Sequence, residues 1–193
     1  MQNFTSTDSA VSKIVFHKMI EDIQGGVTIS IADYTDGFIL PAGSVIGKGS
    51  NGLFRVLKTA KLTADATNTA TTYQVEKGHG FKVGEFLASA TGAKAYAITV
   101  VDTSNANYDV LTVGTTLGLA YTAGQGLFKA LAESTSTSSA FVVTPYAVTG
   151  QDLKLVAGDN NFIDAYLRAT LFEANAPVAT SQIKTALPQI LWI

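Results

Sequence analysis

From Ser12 to Ile23 the apolar residues Ile14, Val15, Met19, Ile20 and Ile23 gather near one side of a helical period. The pattern predicts a short helix, stopped by Gly25-Gly26. Val27, Ile29 and Ile31 then alternate with Thr28 and Ser30, which predicts a strand with one face buried. Asp36-Gly37 turns the chain into the short apolar run Phe38-Ile39-Leu40. Pro41-Ala42-Gly43 reads as a tight corner, because proline presets φ and glycine permits φ > 0. The run "GKGSNG" at 47–52 leads into "LFRVLKTAKL", which alternates well enough for one strand, so its glycines read as a hairpin connection. A phosphate-binding loop would need a Lys-Ser/Thr pair opening a helix, and none follows.

Residues 63–72, "TADATNTATT", read as a linker. Beyond them short strands and glycine turns recur, with two strands over 95–101 and 108–113 joined by an Asp/Ser/Asn turn. This spacing predicts a compact β module over 71–131. In the last third, residues 153–157 and 162–172 read as strands. The second also places Phe162, Ala165, Tyr166 and Ala169 on one helical face, so both readings stay open, with strand preferred. A short helix over Ser181–Leu187 and an apolar terminal strand close the chain. Its last residues, Trp192-Ile193, call for burial in the chain's own sheet or against a neighbour.

Composition narrows what such a molecule does. Of 193 residues 47% are hydrophobic and only 15% charged, against roughly 25% in an ordinary soluble domain. Thr, Ser, Asn, Ala and Gly must therefore cover much of the surface, which suits assembly because few charges need desolvating. A formal net charge of -2 offers no long-range field for nucleic acid. The chain contains no cysteine, hence no disulfide framework and no thiolate site. "MQNFTSTDSA" lacks a basic segment followed by an apolar one, which argues against Sec export, and no apolar run reaches membrane length.

Candidate chemistry is sparse. His79, between Gly78 and Gly80, is expected to face solvent, and with Glu76 or Glu85 it falls short of a zinc ligand set. His17 stands beside Lys18. The carboxylate pairs Glu21-Asp22, Asp33/Asp36 and Asp159/Asp164 lack an aromatic platform, and Asp102 and Asp109 frame a hairpin turn. Ser50 sits among glycines without the strand-turn-helix setting of a nucleophile elbow. The expectation is a protein that is not an enzyme and uses no cofactor or metal. Interaction remains, through a flexible arm over residues 1–12 with Phe4 as anchor beside Thr5 and Thr7, through the apolar end Leu191, Trp192 and Ile193, or through the module's turns at 78–80 and 104–107. A polar, threonine-rich arm suits addition to another chain's sheet edge.

"GFILPAGSVIGKGSNGLFRVL" resembles the segment found in head decoration proteins of tailed bacteriophages, the phage lambda decoration protein group, through Leu40, Pro41, Ala42, Gly43, Ser44, Val45, Ile46 and Gly47, then Phe54, Arg55 and Val56. "AFVVTPYAVTG", "AYLRATLFEANAP" with Glu173, and "IKTALPQILWI" with Ile183, Leu187, Ile190 and Trp192 continue the likeness in order. "TTYQVEKGHGFKVGEFL" and "VDTSNANYDVLTV" look like auxiliary head or head-fibre proteins of Bacteroides-infecting phages. The resemblance implies a mainly β fold: a small β-tulip-like core over 13–70 and 132–193 with short helices, and an inserted β-barrel-like module over 71–131. It implies a cofactor-free homotrimer, made in the bacterial host cytoplasm and seated on the outer capsid surface of the virion. Its partner would be the major capsid protein, with no direct nucleic acid and no membrane. Pro41, Gly43, Gly47 and Arg55 would form the core turn and strand, and Glu173, Leu191, Trp192 and Ile193 an interface. The rival expectation is a virion-surface adhesion or glycan-binding head-fibre module, which would expose Tyr73, Tyr96, Tyr108 or Tyr121 together.

Overall fold

The computed structural model describes residues 13–49 and 51–193, so the expected arm residues Phe4, Thr5 and Thr7, and Ser50, lie outside the described residues. Two six-stranded sheets dominate. The first runs in the order β1 (Phe16–Asp22), β15 (Ala165–Leu171), β12 (Ala147–Thr149), β4 (Val45–Lys48) and β5 (Phe54–Val56), all antiparallel. The terminal strand β16 (Ile190–Trp192) adds to β15 in parallel. The second runs β6 (Thr59–Lys61), β11 (Gly126–Ala130), β8 (Phe86–Ala88), β9 (Ala95–Asp102), β10 (Asp109–Val113) and β7 (Thr72–Val75). Two small ladders, β2 (Val27–Thr28) with β14 (Phe162–Ile163) and β3 (Ile39–Leu40) with β13 (Leu153–Lys154), flank the first sheet.

Alternation explains the second sheet: β7 buries Tyr73 and Val75, and β10 buries Asp109, Leu111 and Val113, every second residue. The barrel expected over 71–131 does not form. The sheet is an open path whose edge strands, β6 and β7, share no ladder and meet only at the single bridge Leu62–Val75. β6 pairs along all three of its residues with β11 and β7 along all four with β10, but the outer edges of the two strands run apart, and only Leu62, one residue past β6, reaches Val75. The sheet also takes in β6, from before residue 71.

Two local expectations change as well. Of the stretch 12–23 expected as a helix, the described residues 13–23 form none and supply β1. Pairing with β15 satisfies the inward backbone groups of β1, and Val15 just before it is buried while Met19 and Ile20 stay about half exposed. "LFRVLKTAKL" is not one strand. It divides at Leu57-Lys58, where the chain crosses from the first sheet to the second. The C-terminal helix α1 (Ser181–Ala186) falls where its pattern put it: the Thr180 side chain accepts from the Ile183 amide and Ile183 is buried. The segment 162–172 resolves as strand, β14 followed by β15.

Three apolar clusters hold these layers. One lies between the two sheets, where Val45, Leu57, Val148 and Leu171 meet Ala88, Ala95, Phe128 and Ala130, with Ile183, Leu187 and Ile190 closing one end. A second packs within the second sheet around Tyr73, Leu87, Ile98, Leu111 and Leu127. The third covers the other face of the first sheet with Val27, Ile29, Leu40, Ile46, Leu155 and Ile163. Both faces of the first sheet are therefore packed, and the seam between the sheets is where polar groups become trapped.

Candidate functional site

Five charged side chains converge on that seam. Asp33 comes from the turn after Ile31, Arg55 from β5, Lys58 from the crossing, Glu85 from the turn before β8 and Lys129 from β11. Arg55 donates from Nη2 and Nε to Asp33 Oδ2 at 2.7 and 3.1 Å. Lys129 Nζ bridges Asp33 Oδ1 at 2.6 Å and Glu85 Oε1 at 2.8 Å. Lys58, whose side chain has no exposure, donates to Glu85 Oε1 at 2.7 Å, to the Gly80 carbonyl at 2.6 Å and to the Asp33 carbonyl. Its ammonium also lies 4.6 Å from the centre of the Tyr34 ring.

Three cations thus share two carboxylates, and the shifts follow from burial and pairing. Burial pushes Lys58 down to about 8, against the pull of Glu85. Burial alone would raise the Asp33 carboxyl, but hydrogen bonds from Lys129 and Arg55 outweigh it and hold the group below the ordinary carboxylate range. Burial, reinforced by the Asp33 and Glu85 charges, drives the Tyr34 hydroxyl far above its usual value. All three Lys58 protons are committed and none reaches water, so this lysine is no nucleophile; it joins the two sheets.

Next to the seam stands His79. It does not face solvent as expected: its side chain is 5% exposed. Nδ1 accepts from the Phe81 amide at 2.9 Å, so the neutral ring carries its proton on Nε2. That nitrogen lies 3.2 Å from Asp109 Oδ2 yet has no aligned hydrogen bond, so the contact is electrostatic. Asp109, buried, is paired at 2.7 Å with Lys77. Burial lowers the His79 pKa, with Asp109 opposing. Among the described residues no hydroxyl hydrogen-bonds to His79, and no group of three His, Cys, Asp or Glu side chains could hold a metal ion. The cleft beside it, lined by Pro41, Thr59, Lys61, Lys77 and Pro177, holds about 230 Å³, less than a ligand pocket of roughly 300–1,000 Å³.

The residues singled out from the sequence are spread over separate places. The Pro41 carbonyl accepts from the Ser44 and Thr149 hydroxyls, and the amide of Gly43, at φ 77°, donates to the Thr149 carbonyl. Gly47 packs so tightly that a Cβ there would strike the Thr144 carbonyl. Arg55 belongs to the ionic seam. Glu173 meets Lys184 at 2.6 Å, and Lys184 lies 5.9 Å from the centre of the Trp192 ring. Trp192 packs against the inter-sheet core, whereas Leu191 and Ile193 stay exposed. Tyr73 and Tyr121 are buried edge to face at 5.9 Å and Tyr96 packs against the same apolar cluster, so these three make no exposed aromatic platform.

The seam escaped the sequence reading, though one sign of it was present. Lys58 sits in phase with Val56, Ala60 and Leu62, all buried, and a lysine on the buried phase of a strand needs a carboxylate partner. Among the described residues no helix is long and apolar enough to cross a membrane. Compared with family models, curated proteins and solved structures, the chain matches none.

Proposed function

We propose that this protein is a structural component of a phage virion that binds the outside of the expanded capsid and stabilises contacts between major capsid proteins. One observation carries the reading. Exposed apolar side chains from both ends of the described chain collect around the end of β15: Ile14, 70% exposed, precedes β1 on one side, and Leu191 and Ile193, 59% and 51% exposed, flank it on the other. These exposed apolar side chains, beside the Glu173–Lys184 ion pair, are suited to burial against a partner surface. Support also comes from the ionic seam, whose cations and carboxylates are spent on one another and tie the two sheets together, and from the Pro-Ala-Gly corner of the resembling phage segment. Burying about 1,000 Å² of apolar surface is worth up to roughly 25 kcal/mol before the costs of ordering and desolvation, and the net gain per copy is far smaller. Repetition over many sites is what resists internal pressure.

Co-sedimentation with expanded empty heads of the encoding phage tests this. The wild-type chain is expected to pellet with heads at micromolar concentration, and a Leu191→Asp/Ile193→Asp variant to remain largely in the supernatant. A wild-type chain that stays unbound, or a variant that binds as well, refutes the role.

A further inference from the structure

A backbone nitrogen can attack the side-chain carbonyl carbon of the residue before it when that residue is asparagine or aspartate, closing a five-membered imide. A glycine in the following position favours the step. It carries no Cβ to crowd the nitrogen, and its backbone turns freely. The chain contains two such pairs, Asp36-Gly37 and Asn51-Gly52. The fold treats them in opposite ways.

Asp36-Gly37 is held on both sides of the reaction. The Gly37 amide donates to the Leu155 carbonyl at 2.8 Å, and Asp36 Oδ1 accepts from the Ala157 amide at 2.8 Å. Nitrogen and carboxyl are thus fixed on separate partners, away from each other. Asn51-Gly52 instead forms the tip of the hairpin joining β4 and β5, and both residues are exposed. Among the described residues nothing accepts from the Gly52 amide. No atom lies within 4 Å of where a Cβ on Gly52 would stand, so the tip has room to rotate. The ladder beneath holds without the tip: Gly47 pairs with Arg55, Lys48 with Phe54, and the Gly49 amide donates to the Leu53 carbonyl at 2.8 Å. Every other asparagine precedes a residue with a Cβ. Of these, Asn161 is also buried, and Asn175 donates to the Ile14 carbonyl at 2.8 Å.

We propose that Asn51 is a site of spontaneous modification, converting with time to aspartate and isoaspartate while the fold stays intact. The Gly52 nitrogen bonds to Asn51 Cγ and the Cγ–Nδ2 bond breaks. Nδ2 leaves as ammonia, taking the proton of the Gly52 amide. Solvent water then opens the imide. Cleavage at Cγ restores the ordinary backbone with an aspartate, and cleavage at the backbone carbonyl carbon leaves isoaspartate, with the chain routed through the side chain. Either product adds one negative charge to a chain of formal net charge -2. The extra backbone carbon of isoaspartate falls in the open tip, outside the ladder. Loss of ammonia is irreversible, so the fraction of converted chains records the age of the molecule. None of this depends on the capsid reading.

The full chain, kept folded for days at mildly alkaline pH, is digested and mapped by mass spectrometry, with isoaspartate read by isoaspartyl methyltransferase labelling. The peptide containing residue 51 should gain about one mass unit and divide into two species, as an amide gives way to a carboxyl. Intact converted protein should elute with Asn51→Asp on anion exchange and keep the tryptophan fluorescence of the fresh chain. Conversion in the folded chain should run within about tenfold of the rate in a free peptide of residues 47–56, and Asn51→Gln should slow it about tenfold or more, because its ring would need six members. Asp36 should acquire isoaspartate in urea but not in the folded chain. An unconverted residue 51 when the free peptide has reacted fully overturns the proposal. So does equal conversion at another asparagine, isoaspartate at Asp36 in the folded chain, or conversion that proceeds only with unfolding.

Discussion

Lys58 and His79 are the two side chains whose surroundings do most to define this molecule, and each suggests a measurement. Lys58 gives its three protons to Glu85 and to the carbonyls of Gly80 and Asp33 with no exposure to water. Lys58→Met would fill the space but strand two carbonyls and strip Glu85 of one cation. A loss of about 3–5 kcal/mol in urea unfolding is expected; a variant within error of wild type would show that Lys129 alone holds the seam. His79 is neutral when folded, because burial lowers its pKa below the ordinary value of 6.5. Between those two values the unfolded chain binds the proton more readily. Its contribution to stability is therefore present above 6.5 and lost as pH falls through 6.5 towards the folded value. Asp33, also lowered, acts in a separate window, with its contribution lost as pH falls below 3.8. Asparagine at position 79 can accept the Phe81 amide without titrating. His79→Asn should therefore lose less stability than wild type between about pH 7 and about pH 5, read from denaturation midpoints at each pH. Equal losses in both proteins would assign the acid sensitivity elsewhere.

Among the elements, β4 is held by the closeness of its neighbours more than by its length. Gly47 lies where a Cβ would meet the Thr144 carbonyl, which belongs to backbone that cannot swing aside. Gly47→Ala should cost about 1–3 kcal/mol or more in thermal unfolding. Gly114→Ala, at an ordinary φ with its nearest neighbour 3.9 Å from the added carbon, should be near neutral. Equal effects at both positions would remove close approach as the cause. Strand β1 shows the limit of periodic reading. Its apolar residues fit a helical period loosely, yet β15 offers a ladder that satisfies its inward backbone groups. The split of 53–62 has a similar origin, since β5 and β6 alternate in one phase through Val56, Lys58, Ala60 and Leu62 although they serve two sheets.

For the whole molecule, the shared core between the sheets predicts one cooperative transition. Trp192, the single tryptophan, reports on the first sheet, and the buried strand β10 on the second. Tryptophan fluorescence and hydrogen exchange of the β10 amides should give the same free energy of unfolding; a lower value at β10 would mean that the second sheet opens by itself. Strand-rich character, the turns at Gly25, Gly43 and Gly78, and the C-terminal helix with its Thr180 cap were all determined by the chain's own order of residues. Alternation, glycine at positive φ and capping act over a few neighbours, so they can be read locally. Tertiary structure alone decided which strands pair, that the second sheet stays open, that residues 16–22 extend, and that Lys58 and His79 are enclosed. Those outcomes rest on partners far apart in the chain, such as Asp33 with Arg55 22 residues on and with Lys129 96 residues on, and the energy of a buried charge is set by whatever the fold brings against it.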